Sequence, residues 1–217
     1  VEKVLMEEIG SNPGNVMCIL GYLGWHSCPI ALFDDSAQGV QMTKDFLRYG
    51  CDTRFVNNSP DGGTNCLKVI HCLDEEGRPT RKFSKRHSPG SGFPRDKAFT
   101  VKGNDATLPL FIKSLDFLPD VYFYEGVTAA WRELGKYMRE KGVLVYYEVQ
   151  STRGNDFSKF MKCMKESDIV KFSDETIQNV DFVDELKDKL IIQTLGSKGV
   201  RFNLRGEGWI ELPPVLN

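Results

Sequence analysis

The chain has 217 residues, 41% of them hydrophobic and 27% charged, an ordinary globular composition that is long enough for one sizeable core. A formal net charge of −2 leaves no electrostatic footprint for nucleic acid, and the densest basic run, 78–86, is short. No apolar run approaches ~18 residues, so no segment reads as a membrane-spanning helix.

Residues 1–9 carry too short a pattern to choose between strand and helix. Over 10–24 the spacing predicts a helix, with Asn12 as cap, Pro13 at the first helical position and Val16, Ile19, Leu20 and Leu23 as its apolar stripe. A strand is expected over 29–33. Asp34-Asp35-Ser36 then opens a second helix with Val40, Thr43 and Leu47 on one face and Gly50 closing it.

Between 51 and 95 the helical period disappears and a separate β unit is expected, with strands at 52–56, 65–73 and 80–85 and turns at 61–63 and 75–77. Such a unit serves either as a lid that closes over a site or as a plain edge meander. Val56, Val69 and Ile70 on it invite pairing with a second copy of the chain. His71 and Cys72 are neighbours on a strand and point to opposite faces, which favours structural roles for both. The stretch 88–95 reads as loop. The six cysteines, Cys18, Cys28, Cys51, Cys66, Cys72 and Cys163, form no Cys-x-x-Cys pair and are expected to be reduced thiols in a cytoplasmic protein.

After Asn104 the pattern becomes a regular alternation. Helices are expected through Leu108, Ile112 and Leu115, through Val127, Trp131, Leu134 and Met138, from Asp156 through Met164, and over 173–189 as one helix or two short ones. Strands are expected at 121–124, 143–147 and 168–172. This rhythm implies right-handed crossovers and a parallel sheet between helices. The run 190–194 is rich in β-branched side chains and suits a buried strand. Gly196 and Gly199 follow it. They serve either a tight turn into the strand 200–204 or a nest of N–H groups that receives an anion at a strand's carboxyl end.

Three stretches together resemble the ribokinase/PfkB family of carbohydrate kinases. Gly10-Ser11-Asn12-Pro13-Gly14-Asn15 is similar to the family's Gly-Gly-x-x-x-Asn signature, 168–175 resembles the strand leading into its Asn-x-x-Glu region, and 194–199 is similar to its pre-nucleotide loop. Their order and spacing cover nearly the whole chain. The resemblance implies a three-layer α/β/α sandwich with a mainly parallel central sheet, made of 1–50 and 96–217, plus a small β-sheet lid over 51–95. It also implies an ATP-dependent enzyme that passes the γ-phosphoryl group to a hydroxyl of a sugar or sugar-like small molecule, with Mg2+ on the phosphates. By the same resemblance Gly10, Ser11, Asn15 and Glu125 are substrate-side residues, Lys171, Ser173, Thr194, Gly196 and Gly199 are nucleotide-side residues, and Glu175 is a metal-side carboxylate.

The departures from the family pattern carry weight of their own. Ser11 replaces a signature glycine, Ser173-x-x-Thr176 replaces Asn-x-x-Glu, and Glu148-Val149-Gln150 stands where many members have Asp-x-Asn. The Gly-Ala-Gly-Asp segment, which would supply the catalytic base and an anion hole, occurs nowhere, so no catalytic residue is assigned. The expectation is a chain incomplete at both termini and without turnover, or alternatively a non-catalytic sugar- or nucleotide-binding homologue. A dinucleotide-binding reading lacks its Gly-x-Gly-x-x-Gly after a strand.

Overall fold

The sequence's alternation of apolar strands and amphipathic helices is realised in a computed structural model that describes residues 8–58, 66–73, 75–77, 79–86, 111–113, 115–150 and 157–214, without the side chains of 66–73 and 79–86. Two compact units make up the chain, Val1–Asn104 and Asp105–Asn217.

In the first unit, α1 (Ser11–Tyr22), β1 (Ala31–Phe33), α2 (Ala37–Arg48) and β2 (Val56–Asn58) are followed by an antiparallel pair, β3 (Cys66–Leu73) and β4 (Pro79–Arg86). β1 and β2 pair in parallel, Ala31 opposite Val56, so the expected strand at 52–56 is displaced and runs alongside β1. A small core of Ile9, Cys18, Phe33, Phe46 and Cys51 holds the unit. Both helices turn a different face inward from the one expected. On α1 the buried residues are Gly14 and Cys18, while Ile19 and Leu23 are 58% and 63% exposed. On α2 Gly39, Asp45 and Phe46 are buried and Val40 and Leu47 are exposed. Small residues win the inner positions because the backbones approach closely: a Cβ on Gly21 would lie 2.5 Å from the carbonyl oxygen of Tyr49. Asn12 is not the cap of α1, whose N-cap position is Gly10 with no side-chain bond, whereas the Ser36 hydroxyl does cap α2 by accepting from the Gly39 N–H at 3.1 Å.

The second unit is an α/β body with a mainly parallel sheet. Its elements are β5 (Val121–Glu125), α3 (Ala129–Glu140), β6 (Leu144–Glu148), α4 (Phe157–Lys165), β7 (Ile169–Ser173), β8 (Leu190–Thr194), β9 (Val200–Leu204) and β10 (Trp209–Leu212). The sheet order is β10-β9-β8-β7-β6-β5. β5 to β8 run parallel, and β9 and β10 are antiparallel additions at one edge. Between β7 and β8 the expected helix is reduced to a 3-10 turn at Asp181–Leu186. Local side-chain bonds compete with helix there: Ser173 pairs with Thr176, and the Asn179 side chain accepts from the Asp181 N–H at 2.9 Å. The helix expected after Asn104 falls mostly outside the described residues, as do the turn at 61–63 and the loop at 88–95.

One face of the sheet is the core. Tyr122, Tyr124, Val145, Tyr147, Val170, Phe172 and Ile191 are all buried, and Leu134 and Met138 of α3 and Phe160, Cys163 and Met164 of α4 join them. Gly135 of α3 sits over Tyr122, Tyr124 and Val145, with contacts of 3.5 to 3.7 Å from an added Cβ. Both polar atoms of the buried Gln193 are bonded, Nε2 donating to the Ile177 carbonyl at 3.0 Å and Oε1 accepting from Arg201 Nε at 2.8 Å. Arg201 in turn lies 4.4 Å from the centre of the Trp209 ring, so one amide ties β8, β9 and β10 together.

The tyrosines make this core sensitive to alkali. Burial raises the phenols of Tyr122, Tyr124 and Tyr147 well above the ordinary value of 10.0, and Tyr146 is pushed up to about 12 by burial first and the Glu148 charge second. A raised folded value means that the unfolded state loses these protons first. Stability is therefore whole below pH ~10 and falls as the pH rises beyond it. Tyr147→Phe is expected to move the alkaline unfolding midpoint upward in a circular-dichroism pH titration, with little change at neutral pH.

Candidate functional site

Successive residues of a strand alternate between faces, and paired residues of neighbouring parallel strands share one. Glu125 pairs with Glu148, and Glu148 with Lys171, so these three stand in a row at the carboxyl ends of β5, β6 and β7 on the face opposite the tyrosine core. Two residues further along β7, Ser173 pairs with Thr194 at the end of β8. The backbone thus assembles Glu125, Lys171, Ser173 and Thr194 at one end and on one side of a single sheet, the position where open α/β sheets bind ligands.

Lys171, Glu148 and Ser173 of this group are already engaged. Lys171 Nζ donates to Glu148 Oε1 in an ion pair whose members are 27% and 9% exposed. The lysine charge is matched within the protein, and a phosphate would have to compete with Glu148 for it. The Ser173 and Thr176 hydroxyls lie 2.9 Å apart, the Thr176 N–H donates to the Ser173 oxygen at 3.2 Å, and the Thr176 hydroxyl donates to the Gln150 carbonyl at 3.3 Å. Two hydroxyls therefore close on each other where the family pattern has an amide and a carboxylate. Glu175 is exposed on the turn that follows β7. Among the described residues no three His, Cys, Asp or Glu side chains converge as a metal site. Magnesium held mainly by phosphates needs only one or two protein carboxylates, and the exposed Glu175 fits that requirement.

Gly196 and Gly199 differ in kind. Gly196 opens the 3-10 turn Gly196–Lys198 with φ +57, and a Cβ there would meet nothing within 4 Å, so the space beside its backbone is open. Gly199 has φ +99, and a Cβ would lie 2.2 Å from the Leu212 carbonyl oxygen and 2.8 Å from Pro214 N. Its lack of a side chain is accounted for by the chain crossing after β10. Of the pair, only Gly196 leaves room for a ligand.

The sheet's inner face also holds a buried thiol. Burial raises Cys163, whose neighbours are Tyr124 and Tyr147, and a protonated thiol attacks poorly.

In the first unit the turn before α1 holds Gly10, Ser11 and Asn15. Ser11 has φ +68, a left-handed conformation that costs a residue with a side chain roughly 1 kcal/mol relative to glycine. Asn15 is exposed on the first turns of the helix. A Cβ on Gly14 would come 3.1 Å from Ile9 Cγ1, so the residue before the turn packs directly on the helix start. Sequence reasoning passed over Asp45 of α2, which is 1% exposed and accepts from the Ile9 N–H at 2.9 Å. Its signal was a charged residue on the inward face of a helix, hidden because the wrong face was taken as inward.

Comparison of this architecture with solved structures gives matches over nearly the whole chain. Fructokinase from Xylella fastidiosa superposes with a TM-score of 0.66 at 17% identity, covering 95% of this chain and 67% of that one. The fold is that of the ribokinase/PfkB-like carbohydrate kinases. Aminoimidazole riboside kinase from Salmonella enterica aligns with a TM-score of 0.66 at 18% identity, over 96% of this chain and 70% of its own. Arabidopsis thaliana ribokinase, solved with ribose and ATP, aligns with a TM-score of 0.61 at 13% identity, over 95% and 67%. The ribokinase-like chain thus spans about two thirds of the length of these relatives. No protein-family model matches its sequence, and no curated protein matches it.

The two loop glycines of this ribokinase-like unit are expected to respond differently to substitution. Gly199→Ala should cost more than about 3 kcal/mol, because backbone has to move, whereas Gly196→Ala should cost about 1 kcal/mol for the left-handed conformation alone. Urea denaturation of the two variants checks this.

Proposed function

We propose that the chain is the greater part of an ATP-dependent carbohydrate kinase, which passes the γ-phosphoryl group of ATP to a hydroxyl of a sugar or sugar-like molecule. The observation that carries the reading is the set of polar residues gathered at the carboxyl ends of β5 to β8, next to the open backbone at Gly196, in a fold shared with kinases of that class. Three of the structural neighbours are described as complexes with ATP, and one of these also holds ribose.

In this reading Gly196 lets the nucleotide approach backbone N–H groups, with Thr194 and Ser173 beside it, while Gly199 lets the loop turn against the chain after β10. Lys171 lies toward the phosphates and is held in place by Glu148, and Glu175 faces the magnesium that neutralises charge on the phosphates. The sugar-side residues that the family resemblance implies are Glu125 in the second unit and, in the first, Gly10, Ser11 and Asn15. The stretch 51–95 acts as the lid, and the β3–β4 pair offers its edges to a second copy of the chain. No residue takes the role of catalytic base, since no Gly-Ala-Gly-Asp segment lies in these 217 residues. Loss of base and anion hole together removes on the order of 10² to 10⁴-fold per group, so the polypeptide binds ligands and turns over little.

A second reading, a binding homologue without catalysis, is favoured by the closed Ser173–Thr176 hydroxyl pair and the Lys171–Glu148 ion pair, which match polar groups to each other. A thermal-shift panel of magnesium ATP, ATP analogues and common sugars tests both readings. A ligand at a hundredfold over its Kd stabilises a one-site protein by about 2.7 kcal/mol, which reads as several degrees in Tm. The expected result is stabilisation by nucleotide or sugar without sugar-dependent ADP release. Robust turnover would overturn the claim of inactivity, and a flat panel would overturn the kinase reading itself.

A further inference from the structure

Asp45 stands in the core of the first unit, 1% exposed, among residues where an apolar side chain would pack without removing a charge from water. Its bonds are directional. Oδ2 accepts from the Ile9 N–H at 2.9 Å, Oδ1 accepts from Gln41 Nε2 at 2.9 Å, and Arg48 Nη2 lies 3.7 Å from Oδ1. Arg48 also reaches Glu8 Oε1 at 2.7 Å, so two consecutive residues before Gly10 are tied to one turn of α2.

Ile9 carries this anchorage onward. Its side chain lies on Gly14 in the first turn of α1, and Gly10 and Ser11 link the two. Ser11 is held at φ +68, a conformation that a serine adopts only when its surroundings impose it. An N–H fixed on one side of the turn and an apolar contact fixed on the other supply that constraint.

We propose that Asp45 is the positioning residue of the Gly10–Ser11 turn: it holds the backbone that presents Ser11 and Asn15 to a polyol ligand, and it keeps Ser11 in a left-handed conformation that serine disfavours. The ligand half of this inference rests on the kinase reading, whereas the clamp itself does not. Stability alone is a weak reason for keeping a buried carboxylate, since well-packed apolar replacements are often neutral or better, and a single directed bond to a strained turn is a specific one.

Amide hydrogen exchange by NMR on the 217-residue chain, with D-fructose and D-ribose titrations alongside, tests the clamp. In Asp45→Asn the amides of Ile9 and of residues 15–17 are expected to exchange at least tenfold faster, with those of β5 to β8 unchanged. Adding Ser11→Gly is expected to restore at least half of that loss on a logarithmic scale, because glycine keeps the turn unaided. Sugar affinity should fall at least fivefold in Asp45→Asn, while affinity for magnesium ATP stays constant. Uniform acceleration throughout the first unit, or a Ser11→Gly effect that merely adds, overturns the proposal. Should Asp45→Asn fail to fold, Arg48→Gln at its half-exposed position tests the same clamp: a smaller acceleration confined to the same amides and relieved by Ser11→Gly supports it, and no change there overturns it. If the exchange pattern holds but the wild-type chain binds neither sugar, the kinase reading fails and the clamp stands.

Discussion

The register of the four parallel strands is the constraint on which the second unit depends. Pairing Glu125 with Glu148 and Glu148 with Lys171 places three charged groups in one row, and the same register puts Tyr124 beside Tyr147 on the opposite face, with ring centres 4.9 Å apart. A slip of one residue would exchange the two sets, driving carboxylates into the tyrosine core and tyrosines onto the half-buried face that carries the charged row. The aromatic packing and the polar row therefore specify each other. That mutual dependence explains why a row rich in charge can persist at the strand ends: its alternative is a core with buried carboxylates, which costs far more than any rearrangement of the polar groups themselves.

Backbone conformation plays the corresponding part in the loops. Ser11, Gly196 and Gly199 all have positive φ, yet each for a different reason. Gly199 is squeezed by the chain after β10, Gly196 stands beside open space, and Ser11 adopts the conformation despite its side chain. A glycine in a motif is thus no evidence of a ligand until the space around it is known. Here that test separates two residues only three positions apart.

Much of the second unit was legible in the sequence because its strands are short and apolar and β5 and β6 are each followed by a helix of clear period: β5, β6, β7, β8 and β9 and helix α3 fall within a residue or two of expectation. The first unit was less legible. Its helices pack through Gly14, Cys18, Gly39 and Asp45, small or polar residues that a search for bulky apolar stripes ranks as outward-facing. The 3-10 turn at 181–186 was read as helix because Ser173, Thr176 and Asn179 divert the backbone through side-chain bonds that periodicity does not register. Of the site, the residue types at the strand ends were visible, whereas the ion pair of Lys171 with Glu148 needed the strand register, which no single sequence displays.

The thiols add one practical consequence. Cys18 is pushed up to about 12 by burial and by its neighbour Cys51, which is raised by burial too, and both lie in the first unit's core, while the raised Cys163 lies in the second. None of the three presents a thiolate at neutral pH while its surroundings are closed. Alkylation at these positions therefore proceeds only through transient opening, and mass-resolved labelling rates at Cys18 and Cys163 time the breathing of the two halves of the chain independently, with no engineered cysteine.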